Sequence, residues 1–460
     1  ADEVYLDPFG FVLLDGYDRY RLFFKDALDK LSIDMHLFRA GKFKSAAETY
    51  TRQDMSAEDR LESQSYLNAL WGGYVGAVAA ARHLKPEVIR AYSDDYAASV
   101  AAAGGDTAKL AHDDGLVTDL RTASQVEQRL IDLVGADPGT KSYRQVGVAD
   151  YLRATHAEDK LRGRGAGVGV VIASGEMLDG KQPPGTVGGE STAALLRSAR
   201  QDEDIRAVVL RVDSPGGSVL ASEQIYREVR ALKAAGKPVV VSMSDLAASG
   251  GYYIAAPADE IIASANTITG SIGVFAALPT FSRTLARLGV NVDGVATTPL
   301  AGATRLDRPL SPEAGKVLQS TVDHAYGEFV DHVASGRGKS HEAVDAIAQG
   351  RVWAGVDART NGLVDRFGSY GDAIVAAAKR AGLTGPYGVR RIEPELSLTQ
   401  QLLLQVGDGV VSLLGRFGGL RAPEGAALMQ QWRPLDRELA RWARLRAPDA
   451  IYAYCFCGVE

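Results

Sequence analysis

Cysteine is nearly missing from this sequence, as are several other features that would decide its chemistry outright. The two cysteines in 460 residues are Cys455 and Cys457. Two thiols cannot complete a four-ligand zinc site, and a Cys-x-Cys spacing makes a poor disulfide, so neither a bridge nor a metal is expected, and no cofactor. No stretch of about 18 consecutive apolar residues occurs, which excludes a hydrophobic membrane-spanning helix within these residues. Clustered Lys and Arg are also missing and the net charge is −6, so nucleic acid is excluded as a partner. The opening Ala1-Asp2-Glu3 lacks the basic-then-apolar pattern of a signal peptide. None of the seven histidines falls at the end of a predicted strand, which leaves a Ser-His-Asp arrangement poorly supported. His324 and His332 are expected on the surface of a helix.

What is present is the composition of a globular chain, 46% hydrophobic and 23% charged, long enough for two or three domains. Strands are predicted over 167–173, 207–212, 238–243 and 260–264, alternating with amphipathic helices over 190–201 and 218–235. That alternation reads as an α/β fold of right-handed β-α-β units around a parallel sheet. Three clusters follow apolar runs: Asp213-Ser214-Pro215-Gly216-Gly217-Ser218 after 207–212, Ala247-Ala248-Ser249-Gly250-Gly251-Tyr252-Tyr253 after 239–243, and Thr269-Gly270-Ser271-Ile272-Gly273-Val274-Phe275 after 261–263. Ligands usually bind where parallel strands end.

The sequence also repeats itself. Ala1-Asp2-Glu3-Val4 recurs as Ala258-Asp259-Glu260-Ile261, residues 56–82 align without a gap on 311–337, and Asp114-Gly115-Leu116-Val117 matches Asn361-Gly362-Leu363-Val364. In the second copy residues 165–258 precede the Asp259 landmark, whereas in the first copy that landmark opens the sequence. The expectation is a first repeat over 1–160 truncated at its front, a complete second repeat over 165–385, and a C-terminal extension over 386–460. In the extension 402–417 reads as a packing or surface-lying helix and 433–446 as a solvated helix face.

The clusters suggest nucleophilic catalysis. A serine hydroxyl needs a base, an oxyanion site and exposure. Gly250 and Gly251 follow Ser249 at a helix start, where backbone N–H groups converge. In Ser214-Pro215-Gly216-Gly217 the proline fixes a turn and the glycines allow a tight backbone, so Gly216 or Gly217 offers a second N–H. For the base, lysine serves if burial lowers its pKa. Lys44 follows a strand-like segment over 35–38 and stands beside Phe43, Ser45, Ala46 and Ala47, while the equivalent place in the second copy, Leu300-Ala301-Gly302-Ala303, has no lysine. The two copies can thus have divided base and nucleophile between them.

Phe43-Lys44-Ser45-Ala46-Ala47-Glu48, the Arg211-to-Val219 segment around Ser-Pro-Gly-Gly, the Ala-Ser-Gly-Gly-Tyr-Tyr cluster and Ile268-to-Phe275 resemble the signal peptide peptidase (SppA) family in its long, duplicated bacterial form. The resemblance implies tandem repeats of a Clp protease/crotonase-like β-α-β superhelical fold and a Ser/Lys dyad peptidase that degrades cleaved signal peptides. By position it makes Ser249 the nucleophile, Lys44 the general base, Gly250 and Gly216 or Gly217 the oxyanion donors, and Ser271 a hydroxyl that orients the lysine. One departure is Glu48-Thr49-Tyr50 where the family often has Glu-Pro-Phe. It further implies a ring-like, tetramer-like homo-oligomer with base and nucleophile meeting between repeats or subunits. It also implies an N-terminal membrane anchor outside this sequence and a location on the periplasmic side of the bacterial inner membrane. Two other classes compete: a crotonase-type acyl-CoA enzyme using the oxyanion hole alone, and a non-catalytic scaffold.

Overall fold

The structure is a computed structural model that describes residues 1–155, 166–183, 185–393 and 451–457. The predicted helices at 402–417 and 433–446, and the expected boundary near 161–165, lie outside the described residues.

The first part of the chain supplies a strand, β1 (Asp34–Ala40), and a long helix, α1 (Ala57–Arg82). The central body then alternates strand and helix: β2 (Gly167–Ser174), α2 (Gly189–Gln201), β3 (Ile205–Ser214), β4 (Gly216–Ser218), α3 (Val219–Ala234), β5 (Val239–Ala248), α4 (Gly250–Ala255) and β6 (Glu260–Ala263). It continues with β7 (Ile268–Gly270), β8 (Val274–Thr280), α5 (Pro312–Arg337), β9 (Val352–Ala354), α6 (Tyr370–Arg380) and β10 (Gly388–Arg391). A last short strand, β11, is Tyr452–Tyr454.

An eight-stranded sheet runs in the order β9-β7-β5-β3-β2-β10, with β6 beside β5 and the pair Arg366–Phe367 beyond it. Apart from the β9–β7 edge its pairings are parallel. The central strands are largely apolar because both faces are covered. Along β3, Val208, Leu210 and Val212 join a core lined by α3, α4 and α5, while Ala207 and Val209 face the opposite core under α6. The strand at 239–243 proves longer than its apolar run and continues to Ala248, one residue before Ser249. A separate strand, β7, leads into the third cluster, which therefore does not follow directly on 261–263.

The second sheet is six-stranded, in the order β1, β8, β11, β4, Met177–Leu178, Val187–Gly188. β1 pairs antiparallel with β8 over seven residues, from Val274 opposite Ala40 to Thr280 opposite Asp34. This pairing joins the early part of the chain to the late part and aims the segment after Ala40 at the end of β5.

The duplication is visible in the helices. α1 and α5 are both 26 residues long. Each is capped by a serine side chain that accepts a backbone N–H three residues on, Ser56 from Asp59 and Ser311 from Ala314. Each ends on a left-handed residue, His83 and Gly338.

Two expectations need correction. Cys455 and Cys457 form a disulfide. The chain between them brings their Cα atoms to 5.3 Å, within the span a bridge requires, although they are only two residues apart. His332 is not a surface residue: its ring stacks on Tyr226 at 4.0 Å and its Nε2 lies 3.0 Å from Glu223 Oε2, packed between α5 and α3.

Candidate active site

Ser249 is the one residue between β5 and α4, and it turns the chain with φ 55° and ψ −115°. A non-glycine residue held there costs about 1–3 kcal/mol and persists because its neighbours fix it. Its N–H donates to Gly270 O at 2.8 Å, and its carbonyl accepts from Tyr253 N at 2.8 Å. The hydroxyl is thereby aimed away from the sheet, toward the segment that follows β1.

Lys44 arrives from that segment. The turn after β1 is set by Lys44 N donating to Gly41 O at 3.1 Å and Phe43 N to Gln349 O at 2.8 Å. Gly350, at φ +79°, lets the backbone pass close, since a Cβ there would lie 2.6 Å from Lys44 N. The ammonium group ends 2.8 Å from Ser249 Oγ, 3.0 Å from Ser271 Oγ and 3.1 Å from Ser271 O. Lys44 is 2% exposed and Ser249 0%. Burial drives the Lys44 pKa down from 10.5 to about 7, opposed by the nearby Glu62 carboxylate. Near neutral pH the amine can therefore accept a proton from the hydroxyl beside it. Lys44 and Ser249 meet within one chain, across its two copies.

Ser271, at φ 52°, is held by its N–H on Arg351 O at 2.7 Å, which points both its carbonyl and its hydroxyl at Lys44. Gly250 follows Ser249, and the Gly216 loop packs directly on it: a Cβ at Gly216 would lie 2.5 Å from Gly250 N. The Gly216 N–H itself donates to Ser214 Oγ at 3.1 Å. The residues singled out in the sequence thus lie together: Lys44 on Ser249, Ser271 on Lys44, and Gly250 with the Gly216-Gly217 turn beside Ser249.

Behind Lys44 stands a buried acidic network that sequence reasoning missed. Asp59 accepts from Arg19 at 2.7 Å, Arg21 at 3.1 Å and Ser45 Oγ at 2.8 Å. Glu62 accepts from Val352 N at 3.1 Å and Ser45 Oγ at 3.3 Å. Burial raises the Glu62 pKa from 4.5 to about 8, beside the depressed Lys44 value, so the two groups titrate over overlapping ranges. The signal was present in the repeat: the gapless alignment of 56–82 on 311–337 sets Ala314 and Val317 opposite Asp59 and Glu62. These carboxylates, like Lys44, exist in one copy only. Among the described residues no group of three or more His, Cys, Asp and Glu is arranged to hold a metal ion.

An α/β fold that presents a serine at the end of a parallel strand, with a buried amine on its hydroxyl, is that of a serine peptidase. The chain belongs to a particular family of them: the family model described as Peptidase family S49 matches residues 1–135 and 231–384, once in each copy. It is 38% identical over 455 residues to Protease 4 of Salmonella typhi, covering 99% of this chain and 72% of that one. It is also 38% identical over 467 residues to Protease 4 of Haemophilus influenzae, covering 100% of this chain and 74% of that one. The chloroplastic serine protease SPPA of Arabidopsis thaliana is 30% identical over 433 residues, 91% of this chain and 62% of the plant protein. The acyl-CoA and scaffold alternatives fall with this assignment.

Proposed function

We propose that this serine peptidase works through a Ser249/Lys44 dyad and hydrolyses extended apolar peptides, cleaved signal peptides among them. The observation that carries the reading is the 2.8 Å approach of the buried Lys44 Nζ to Ser249 Oγ. Lys44 as a neutral amine takes the hydroxyl proton while Oγ attacks the scissile carbonyl. The N–H groups of Gly250 and Gly217 receive the oxyanion; loss of one such donor typically raises the barrier by about 2.7–4 kcal/mol. Lys44, now an ammonium held by the Ser271 carbonyl and hydroxyl, returns its proton to the departing amine. The ester on Ser249 is then hydrolysed by a water that Lys44 deprotonates.

In this reading residues 1–160 supply the base, 165–385 the nucleophile, and 386–460 an extension. The signal peptide substrate, the ring-like homo-oligomer and the anchored periplasmic location come from the family resemblance. No described helix is long and apolar enough to cross a membrane. The test is covalent labelling with a fluorophosphonate, read by mass spectrometry. Label on Ser249 that disappears in Ser249→Ala supports the reading, and label elsewhere in a folded protein sinks it.

A further inference from the structure

Three atoms surround the Lys44 amine: Ser249 Oγ at 2.8 Å, Ser271 Oγ at 3.0 Å and Ser271 O at 3.1 Å. With Cε they fill the four directions of a tetrahedral nitrogen. A neutral amine has two hydrogens and one lone pair to share among the three. The Ser271 carbonyl only accepts, so it takes one hydrogen. The Ser271 hydroxyl can accept or donate. If it accepts, the lone pair is left for the Ser249 proton; if it donates, it uses up the lone pair and Lys44 is no base. The Ser271 backbone does not settle the choice, because its N–H is spent on Arg351 O and its carbonyl on Lys44.

A cavity behind the amine offers an acceptor for the Ser271 hydrogen. It measures about 10 Å³, room for water but not for a side chain, and Lys44, Ser271, Ser45, Glu62, Tyr66 and Arg19 line it. Lys44, Ser271, Glu62 and Tyr66 are all buried. Two buried polar atoms of these walls have no protein partner at hydrogen-bonding geometry: Tyr66 Oη, and Arg19 Nε, whose other nitrogens bond Asp59, Ser63 and the Phe456 carbonyl. Leaving such groups unpaired is costly, and water with several polar partners is the usual remedy. Glu62 has acceptor capacity to spare. Val352 N bonds only its Oε2, and the single Ser45 hydroxyl proton is shared with Asp59, which is nearer at 2.8 Å against 3.3 Å for Glu62 Oε1. These walls belong to the copy that carries the lysine, since the gapless alignment sets Val317 and Thr321 opposite Glu62 and Tyr66.

We propose that Glu62 and Tyr66 are positioning residues for the base: they hold water in this cavity that accepts the Ser271 hydroxyl hydrogen and so turns the Ser271 lone pair toward Lys44. The water accepts from Ser271 and from Tyr66 or Arg19, and donates to Glu62. The amine then spends both hydrogens on Ser271 and keeps its lone pair for Ser249. The inference rests on the Ser249/Lys44 reading. It is separate from the effect of the Glu62 charge on Lys44, because Tyr66→Phe leaves that charge in place.

The test is a double-mutant cycle in the full chain, Tyr66→Phe and Ser271→Ala singly and together, read as the rate of fluorophosphonate labelling at Ser249. Tyr66→Phe is expected to slow labelling by about tenfold, as for residues that share one hydrogen-bond network, and to add nothing once residue 271 is alanine. A merely structural tyrosine slows both backgrounds by the same factor; that result, or no slowing in either, overturns the proposal. Melting curves give a second reading that does not depend on activity, and it decides the matter if Ser271→Ala labels too slowly to complete the cycle. Removing a hydroxyl that holds water lowers Tm, which supports the proposal. Removing a bare one leaves Tm unchanged or raises it, which overturns it. A wild-type chain that leaves Ser249 unlabelled, or labels it equally in Lys44→Met, fails the dyad reading and this inference with it. Lys44-dependent labelling that Tyr66→Phe does not touch fails this inference alone.

Discussion

Lys44 can take a proton from Ser249 only while it is an amine, and burial is what makes it one near neutral pH. Replacing it with methionine keeps the apolar stem and removes the amine. Lys44→Met is expected to lower kcat/KM by about 10³-fold or more, as for a member of a unit that acts together, with the fold retained. The sign of the stability effect follows from linkage. Between about 7 and 10.5 the unfolded chain binds a proton that the folded Lys44 does not, so stability rises with pH across that window; a pH series of melting curves should show this slope lost in Lys44→Met. In its charged form, which grows in as the pH approaches its own value of about 8, Glu62 raises the Lys44 pKa, so Glu62→Gln should move the midpoint of the pH–rate profile to lower pH. A midpoint that stays put would make Glu62 merely structural. The approach of Lys44 to Ser249 was legible in the sequence because Lys44 has no counterpart in the other copy. The carboxylates behind it carry the same mark at Ala314 and Val317, but a charge on a helix ordinarily reads as solvated, and its burial is a tertiary fact.

At the scale of elements, the site depends on three turns at positive φ: Ser249 between β5 and α4, Ser271 after β7, and Gly350 before β9. Gly350→Ala puts a Cβ against the Lys44 backbone at a left-handed φ, a conformation that costs an L-residue about 1–2 kcal/mol. We expect a drop in activity larger than the drop in Tm accounts for, because the displaced part is the lysine. Activity that falls only in step with Tm would contradict this. The four strands and two helices assigned in the central body were read within a few residues of their bounds, since burial on both faces leaves a continuous apolar run. β11 was not. Three residues near the chain end carry no period of their own, and their partners at 216–218 and 275 are far away in sequence. The Cys455–Cys457 bridge escaped for the same reason, because spacing alone does not show how the backbone between the two thiols is bent.

For the whole molecule, the proposed reading makes duplication followed by divergence the source of a site shared between the two copies. Each copy keeps its long capped helix, but Lys44 and the carboxylates behind it stand in the first and Ser249 with its glycine turns in the second. Because Lys44 and Ser249 meet within the chain, mixing Lys44→Ala with Ser249→Ala protein should restore no hydrolysis. Recovery of activity on mixing would place the dyad between subunits. The most direct test of the central claim is the rate of fluorophosphonate labelling at Ser249 through the neutral range, in the wild-type chain and in Lys44→Met. The account predicts a rate that rises with pH through a midpoint near the depressed Lys44 value of about 7 and collapses in the variant. Labelling of Ser249 that persists in Lys44→Met with the same pH dependence would contradict it.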